Sequence, residues 1–256
     1  MNILHIDASP RQQSHSRQLS AAIVERLLEL APGARITRRD LGTDPLPHTL
    51  ALYAAALASP ATLAAPPEGS LDISEALIRE VEAADAIVIG TPMYNFSIPS
   101  VLKAWIDQIL RVGRTMKSTP QGKVGMLRDK PVFIAVSSGG VFAGGRANQP
   151  DFVTPYLTLA FNSIGLKTLQ FLPIQATAFI DWDKAPLWRD KALATLDLEP
   201  VRELEGIDAC SALPQGTHGA HGDTRNGKNS SSAVTSGARN WQRSTMTPEP
   251  LSRGNG

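Results

Sequence analysis

Ala86-Ile87-Val88-Ile89-Gly90-Thr91-Pro92-Met93-Tyr94-Asn95-Phe96-Ser97-Ile98-Pro99 runs from an apolar, β-branched segment into an aromatic loop bracketed by prolines. Its opening residues carry no polar side chain, the mark of a strand covered on both faces in a parallel sheet. Parallel neighbours need crossover connections, usually helices, and helical patterns lie on both sides of this strand. Upstream, Ser74–Ala84 spaces Leu77, Ile78 and Val81 as one helix face; downstream, Ser100–Leu110 does the same with Leu102, Ile106, Ile109 and Leu110. Farther out, Ile3–Ile6 is a short apolar run followed by a helical pattern through Leu19, Ile23, Leu27, Leu28 and Leu30, stopped by Pro32-Gly33. Ala34–Leu41 alternates as a second strand, Pro131–Val136 reads as another buried strand, and Leu169–Leu172 as a fifth. Helices are expected over Pro150–Ile164 and Lys184–Leu196.

Repeated strand–helix units predict an α/β fold, a parallel sheet with right-handed crossovers and helices on both faces. Five strands favour the flavodoxin-like order 2-1-3-4-5, whose ligands sit at the carboxyl ends of strands 1, 3 and 4. Each of those ends opens into an unusual loop. The first, Ser9-Pro10-Arg11-Gln12-Gln13-Ser14-His15-Ser16, has no glycine and so is neither a dinucleotide fingerprint nor a Walker loop. It offers serine hydroxyls just before a helix N-terminus, where a phosphate meets free N–H groups and the positive dipole end; a plain helix cap at Ser14 or Ser16 is the alternative. In the second loop Met93, Tyr94 and Phe96 suit a flat aromatic ligand, with Asn95 and backbone amides for direction, or else they plug the sheet end as core. The third, Ser137-Ser138-Gly139-Gly140, lets backbone approach a ligand closely, unless it is only a surface turn. Leu46–Ser70 is long for a connection, and a helix over Thr49–Ala58 is expected to cover an active-site edge or a dimer interface.

Composition narrows the function. The 256 residues carry 25 Lys and Arg against 24 Asp and Glu, which gives no electrostatic reason to expect a nucleic-acid partner. The lone Cys210 excludes an internal disulfide framework and a multi-cysteine metal site, and it suits a reducing compartment. His218-x-x-His221 lacks the other ligands of a metal site, so none is expected. No apolar run of about 18 residues indicates a membrane span, and Met1–Asp7 reads as a strand rather than a signal peptide. A cytoplasmic protein is expected. From Gly206 onward the chain is rich in Gly, Ser, Thr and Asn without periodicity. Such a stretch cannot offset about 1–2 kcal/mol of backbone entropy per ordered residue. Residues 1–205 are therefore read as one folded domain and 206–256 as a disordered tail. The domain alone holds 20 Lys and Arg against 21 Asp and Glu, so near-neutrality is a property of the folded part.

With these loops in place the chain resembles the FMN-dependent NADH azoreductases, which are also NAD(P)H:quinone oxidoreductases. The likeness covers most of Met1 to about Phe179. It is carried by Pro92-Met93-Tyr94-Asn95-Phe96, and supported by Leu102-Lys103 with Ile106-Asp107, by Arg111-Val112-Gly113-Arg114-Thr115, and by Val153-Thr154-Pro155-Tyr156-Leu157. The resemblance implies FMN held in a homodimer with active sites at the subunit interface. It places Ser9 and Ser14-His15-Ser16 on the phosphate, Met93, Tyr94, Asn95 and Phe96 along the isoalloxazine, and Ser137, Ser138, Gly139 and Gly140 at its polar edge. It further implies two-electron ping-pong turnover, in which NADH or NADPH reduces the flavin and a quinone or azo acceptor reoxidises it. No protein acid or base is obligatory, and no catalytic residue is nominated. Where such relatives read Thr-Phe-x-Tyr, this chain has Thr115-Met116-Lys117-Ser118, which implies a roomier or less aromatic site. The alternative is a flavodoxin-like electron carrier or redox sensor without its own NAD(P)H turnover; such carriers are strongly acidic, which this domain is not. A hydrolase on the same fold is disfavoured, since no G-x-S-x-G is present and no Ser–His–Asp set is evident at a strand end.

Overall fold

Every residue of the Ala86–Pro92 strand is buried, as its near-absence of polar side chains requires. The computed structural model describes residues 1–48, 51–179 and 181–206. Cys210, the His218/His221 pair and the tail 207–256 lie outside the described residues, as do Thr49 and Leu50. In chain order the first half runs β1 (Asn2–Asp7), α1 (His15–Leu30), β2 (Arg35–Asp40), α2 (Ala51–Ala56), α3 (Pro60–Ala64), α4 (Asp72–Ala83) and β3 (Ala86–Pro92). It continues α5 (Ser100–Ile109), β4 (Met116–Thr119), β5 (Gly122–Gly125), β6 (Val132–Ser137), α6 (Thr154–Ile164), β7 (Leu169–Ile174), α7 (Ala185–Leu193) and α8 (Glu199–Glu205).

The main sheet is β2-β1-β3-β6-β7, parallel throughout. Counting only its own strands, this is the predicted order 2-1-3-4-5. The pleat sends alternate residues to opposite faces. Leu4, Ile87 and Ile134 pack with Leu77, Ile106 and Phe161 of α4, α5 and α6. Ile3, Val88 and Phe133 pack instead with Ile23 and Leu27 of α1, Ala192 of α7 and Val201 of α8. Helices therefore cover both faces. Among the described residues no helix is long and apolar enough to cross a membrane.

Several boundaries differ from the sequence expectation, each for a local reason. The helix expected from Pro150 starts at Thr154, because Asp151 Oδ1 accepts from the N–H groups of Val153 and Thr154, both at 2.9 Å. The fifth strand continues through Pro173 to Ile174, which an edge strand tolerates. Of the helix expected over Thr49–Ala58, the described residues form Ala51–Ala56, and it stops two residues short of Ala58. Ser59 then caps α3 with a reciprocal capping box to Thr62, whose Pro60 takes a first-turn position. Tyr53 of α2 donates its hydroxyl to Asp107 O at 3.1 Å, so this segment covers α5. The β4–β5 hairpin and α8 were not expected, being too short to show a period.

Candidate functional site

At the carboxyl ends of β1, β3 and β6 the chain opens into a cleft of ≈ 390 Å³, the position that a doubly wound sheet assigns to its ligand. Two glycines allow the close packing around it. A Cβ on Gly90 of β3 would stand 2.6 Å from Ser20 Oγ and 2.9 Å from Ser16 O, so only glycine lets the start of α1 lie against the strand. A Cβ on Gly42, after β2, would stand 2.1 Å from Ser9 O, so this turn closes directly under the first loop.

The first loop contributes Ser9, Arg11, Ser14 and His15. Ser14 is the N-cap of α1 and accepts from Arg17 N at 3.3 Å. Capping and ligand binding are compatible here, since a hydroxyl accepts one bond and donates another. Ser16 does not line the cleft. It is fully buried, with its Oγ 3.3 Å from Ser14 Oγ, and supports that hydroxyl. Burial, and then the Arg11 charge, lower the His15 pKa, which leaves the imidazole neutral at neutral pH.

The second loop turns sharply. Tyr94 and Ser97 exchange two backbone hydrogen bonds, Tyr94 N to Ser97 O at 2.9 Å and Ser97 N to Tyr94 O at 3.0 Å. Between them Asn95 and Phe96 both take positive φ, 49° and 71°. A two-residue loop with two left-handed residues has type I′ geometry, and a bulky residue there is strained. Met93 and Tyr94 line the cleft, while Asn95 and Phe96 form the apex beyond it.

The third loop is no free surface turn. Its carbonyls at Ser138 and Gly140 accept from Thr177 N and Ala176 N, both at 2.9 Å, which ties the loop to the segment after β7. Ser137 and Gly139 face the cleft, opposite Thr177 and Ala178. Ser138 is buried beneath it, where Gln149 Nε2 donates to Ser138 Oγ at 2.7 Å and reaches Met93 Sδ at 3.1 Å. A Cβ on Gly140 would stand 2.5 Å from Gln149 Oε1, so this glycine admits the glutamine that ties the second loop to the third.

Of the expected site residues, the structure brings Ser9, Ser14, His15, Met93, Tyr94, Ser137 and Gly139 to one cleft, and puts Ser16, Ser138 and Gly140 in the layer behind it. Sequence reasoning missed Arg11, Thr177 and Ala178 on the lining and Gln149 behind it. Arg11 lay within the quoted first loop, and its charge was the available signal. It also missed a buried polar group below the first loop. Ser20 Oγ donates to Asp7 Oδ1 at 2.9 Å and lies 3.0 Å from His5 Nε2. Ser20 and Asp7 are fully buried and His5 nearly so, which puts this serine out of reach of any hydrolytic substrate.

A family profile described as a flavodoxin-like fold matches residues 1–196. FMN-dependent NADH:quinone oxidoreductase 4 of Pseudomonas fluorescens is 46% identical over 201 residues, which cover 78% of this chain and 96% of that protein. FMN-dependent NADH:quinone oxidoreductase 2 of Cupriavidus pinatubonensis is 43% identical over 178 residues, covering 69% and 86%. Among solved structures, that of an azoreductase from Bacillus anthracis str. Sterne matches with a TM-score of 0.62 at 25% identity, covering 76% of this chain and 95% of that one. A match over most of the chain and close relatives spanned almost end to end give one conclusion: the chain belongs to the flavodoxin-like family of FMN-dependent NADH:quinone oxidoreductases.

Proposed function

We propose that residues 1–205 bind FMN in this cleft and use NADH or NADPH to reduce quinones, and azo compounds as well, in two successive two-electron half-reactions. The observation that carries the proposal is the meeting of three chemically distinct loops at one sheet end. The residues fit the cofactor's parts. A phosphate suits the Ser9, Ser14 and His15 end, at the positive pole of a 16-residue helix. Hydrogen bonds to a charged group contribute about 1.5–3 kcal/mol each, and the dipole about 0.3–1 kcal/mol. The hydroxyls and amides therefore dominate this end, with Arg11 beside them. A flat ring suits Met93 and Tyr94, with Phe96 at the rim. Backbone amides of the second and third loops supply directed donors for its polar edge.

When bound, FMN supplies the two-electron chemistry, and the protein supplies binding, orientation and electrostatics. Gln149, by holding Met93 and Ser138 together, fixes the second loop against the third, the two loops that would hold the ring. His15 sits at the phosphate end, where its imidazole is a hydrogen-bonding group.

The active unit is proposed to be a homodimer. Phe96 (47% exposed), Phe152 (58%) and Leu159 (72%) are large apolar side chains left open to solvent. Phe152 N donates to Phe96 O at 3.2 Å, which joins the strained turn to the start of α6 in one face that a second copy would cover. A cytoplasmic location agrees with the single cysteine. The test is an absorption spectrum of purified, FMN-reconstituted protein before and after anaerobic NADH or NADPH, followed by menadione turnover. A bound flavin that is bleached by the nicotinamide and recoloured by the quinone is expected; protein that binds no FMN, or whose FMN is not bleached, refutes the proposal.

A further inference from the structure

The first loop is anchored from below by one side chain. Arg17, in the first turn of α1, is 95% buried and spends its donors on two targets. Its Nε and one terminal nitrogen donate to Ser9 O at 2.8 and 2.6 Å. Its other terminal nitrogen donates to Asp40 Oδ2 at 2.9 Å and stands 3.5 Å from Asp7 Oδ2, and Asp40 Oδ1 closes a second, short contact. Asp40 is held in turn by the N–H groups of Gly42 and Thr43, both at 3.2 Å. The Ser9 carbonyl is thus gripped by the guanidinium on one side and Gly42 on the other, where even a Cβ would not fit. A planar fork with five fixed N–H groups can hold a carbonyl and a carboxylate at once; a lysine ammonium on a flexible stem cannot reproduce both bonds at the same angles.

Stability alone is a weak reason to bury this cation. A buried ion pair has a large desolvation penalty, and well-packed apolar residues often replace one without loss. What the arrangement fixes is the orientation of Ser9, which lines the cleft and whose Oγ accepts from Arg11 N at 3.3 Å. We propose that Arg17, locked by Asp40, is a positioning residue for the phosphate half of the cofactor: it pins the Ser9 carbonyl and so aims the Ser9 hydroxyl at the phosphate. Arg17 touches no cofactor atom in this role. The inference rests on the FMN reading above and extends it to a residue outside the cleft.

The experiment compares FMN with riboflavin, which has the same ring and no phosphate, by flavin fluorescence titration of the full-length apoprotein and of Arg17→Lys and Asp40→Asn. Loss of one well-aimed bond to a charged group, about 1.5–3 kcal/mol, is a factor of about 10–100 in affinity. The expected result is therefore a 10- to 100-fold weaker FMN Kd in Arg17→Lys, with riboflavin changed less than about threefold at that scale. The ratio of the two affinities collapses, and a general loss of folding would not move that ratio. Asp40→Asn leaves the Ser9 bonds in place but loosens the guanidinium, so a smaller fall of the same ratio is expected; it serves as the test should Arg17→Lys fail to fold. An unchanged ratio, or equal loss for both flavins, overturns the proposal. If wild-type protein binds neither flavin, the FMN reading itself fails and this inference with it.

Discussion

Phe96 offers a direct test of how strain and function are divided at this site. Its φ of 71° lies in the left-handed region, which costs an L-residue about 1–2 kcal/mol. Within its own subunit the ring is 47% exposed, so its burial there returns roughly half the 1.5–3 kcal/mol of a fully buried phenylalanine, about 1 kcal/mol. Phe96→Gly removes both terms and adds about 0.5–1 kcal/mol of backbone freedom in the unfolded chain. The net change is expected within about 1 kcal/mol of zero, against about 3–5 kcal/mol for truncating a core phenylalanine. Phe96→Ala loses the ring but keeps the strain, and should therefore be less stable than Phe96→Gly by about 0.5–1 kcal/mol. Urea unfolding of the two apoproteins, followed by far-ultraviolet circular dichroism, measures the difference. FMN-reconstituted samples assayed with menadione should show both variants impaired, since both lack the ring. An alanine variant as stable as the glycine variant, or a glycine variant weakened by more than about 3 kcal/mol, would refute the assignment of Phe96 as a strained rim residue.

Other perturbations test different parts of the structure. In Gly42→Ala the new methyl would meet Ser9 O at 2.1 Å and an Arg17 nitrogen at 2.9 Å; overpacking of this kind costs about 1–3 kcal/mol, a drop of about 2–12 °C in melting temperature for a domain of this size, and FMN affinity should fall with it. Glu75, bonded by Arg114 and by Arg111, has a pKa lowered from 4.5 to about 2. A depressed carboxylate contributes stability that is complete above about 4.5 and lost as pH falls through about 2. The advantage of wild type over Glu75→Gln is therefore expected at no more than about 1–2 kcal/mol once solvent screening is allowed for, and should shrink below pH 4.5; a gap that stays constant from pH 6 to pH 3 in urea titrations contradicts this. A chain ending at Gly206 should keep the full-length FMN affinity, because every residue placed in or behind the cleft precedes Phe179; a tenfold weaker Kd for the shortened chain would show that the tail takes part.

The fold was legible because its information is periodic. Ala86–Gly90 has the composition of a doubly covered strand, the α4 and α5 faces repeat at helical spacing, and five such strands leave few topologies. The site was legible for a coarser reason: the topology says where strand ends collect, and the loops there are chemically odd. What the sequence did not show is which loop residues face the ligand and which stand behind them. Ser137 and Ser138 are neighbours of one type, yet the first lines the cleft and the second is tied to Gln149 and Met93. Arg17 reads on paper as a surface residue of an amphipathic helix. It is buried because β2 and its turn bring Asp40 and Gly42 against the loop, a contact between positions 23 residues apart.

The same distinction applies to the motifs that carried the family resemblance. Arg111 and Arg114 look like candidates for anion binding. In the structure Arg111 donates to Ser74 Oγ at 3.0 Å and to Glu75 at 2.5 Å, and Arg114 spans Glu75 and Glu82. Together they clamp the chain after α5 to α4, so in this chain their donors are spent on packing. Thr115 does similar work, donating to Ile109 O at 2.6 Å. The departure at Met116-Lys117-Ser118 begins the β4–β5 hairpin. Met116 is buried in the core, while Ser118 is partnered on the surface by Lys123 at 2.6 Å. None of these residues lines the cleft of its own chain. The roomier site implied by the missing aromatics therefore cannot arise within one subunit, and it can act on substrate choice only if the hairpin of a second copy reaches the first copy's cleft. Restoring the aromatics with Met116→Phe and Ser118→Tyr should then alter azo-dye kcat/KM in dimeric protein and leave the FMN Kd unchanged; an unchanged kcat/KM refutes that reach and leaves the dimer resting on the Phe96 and Phe152 face alone.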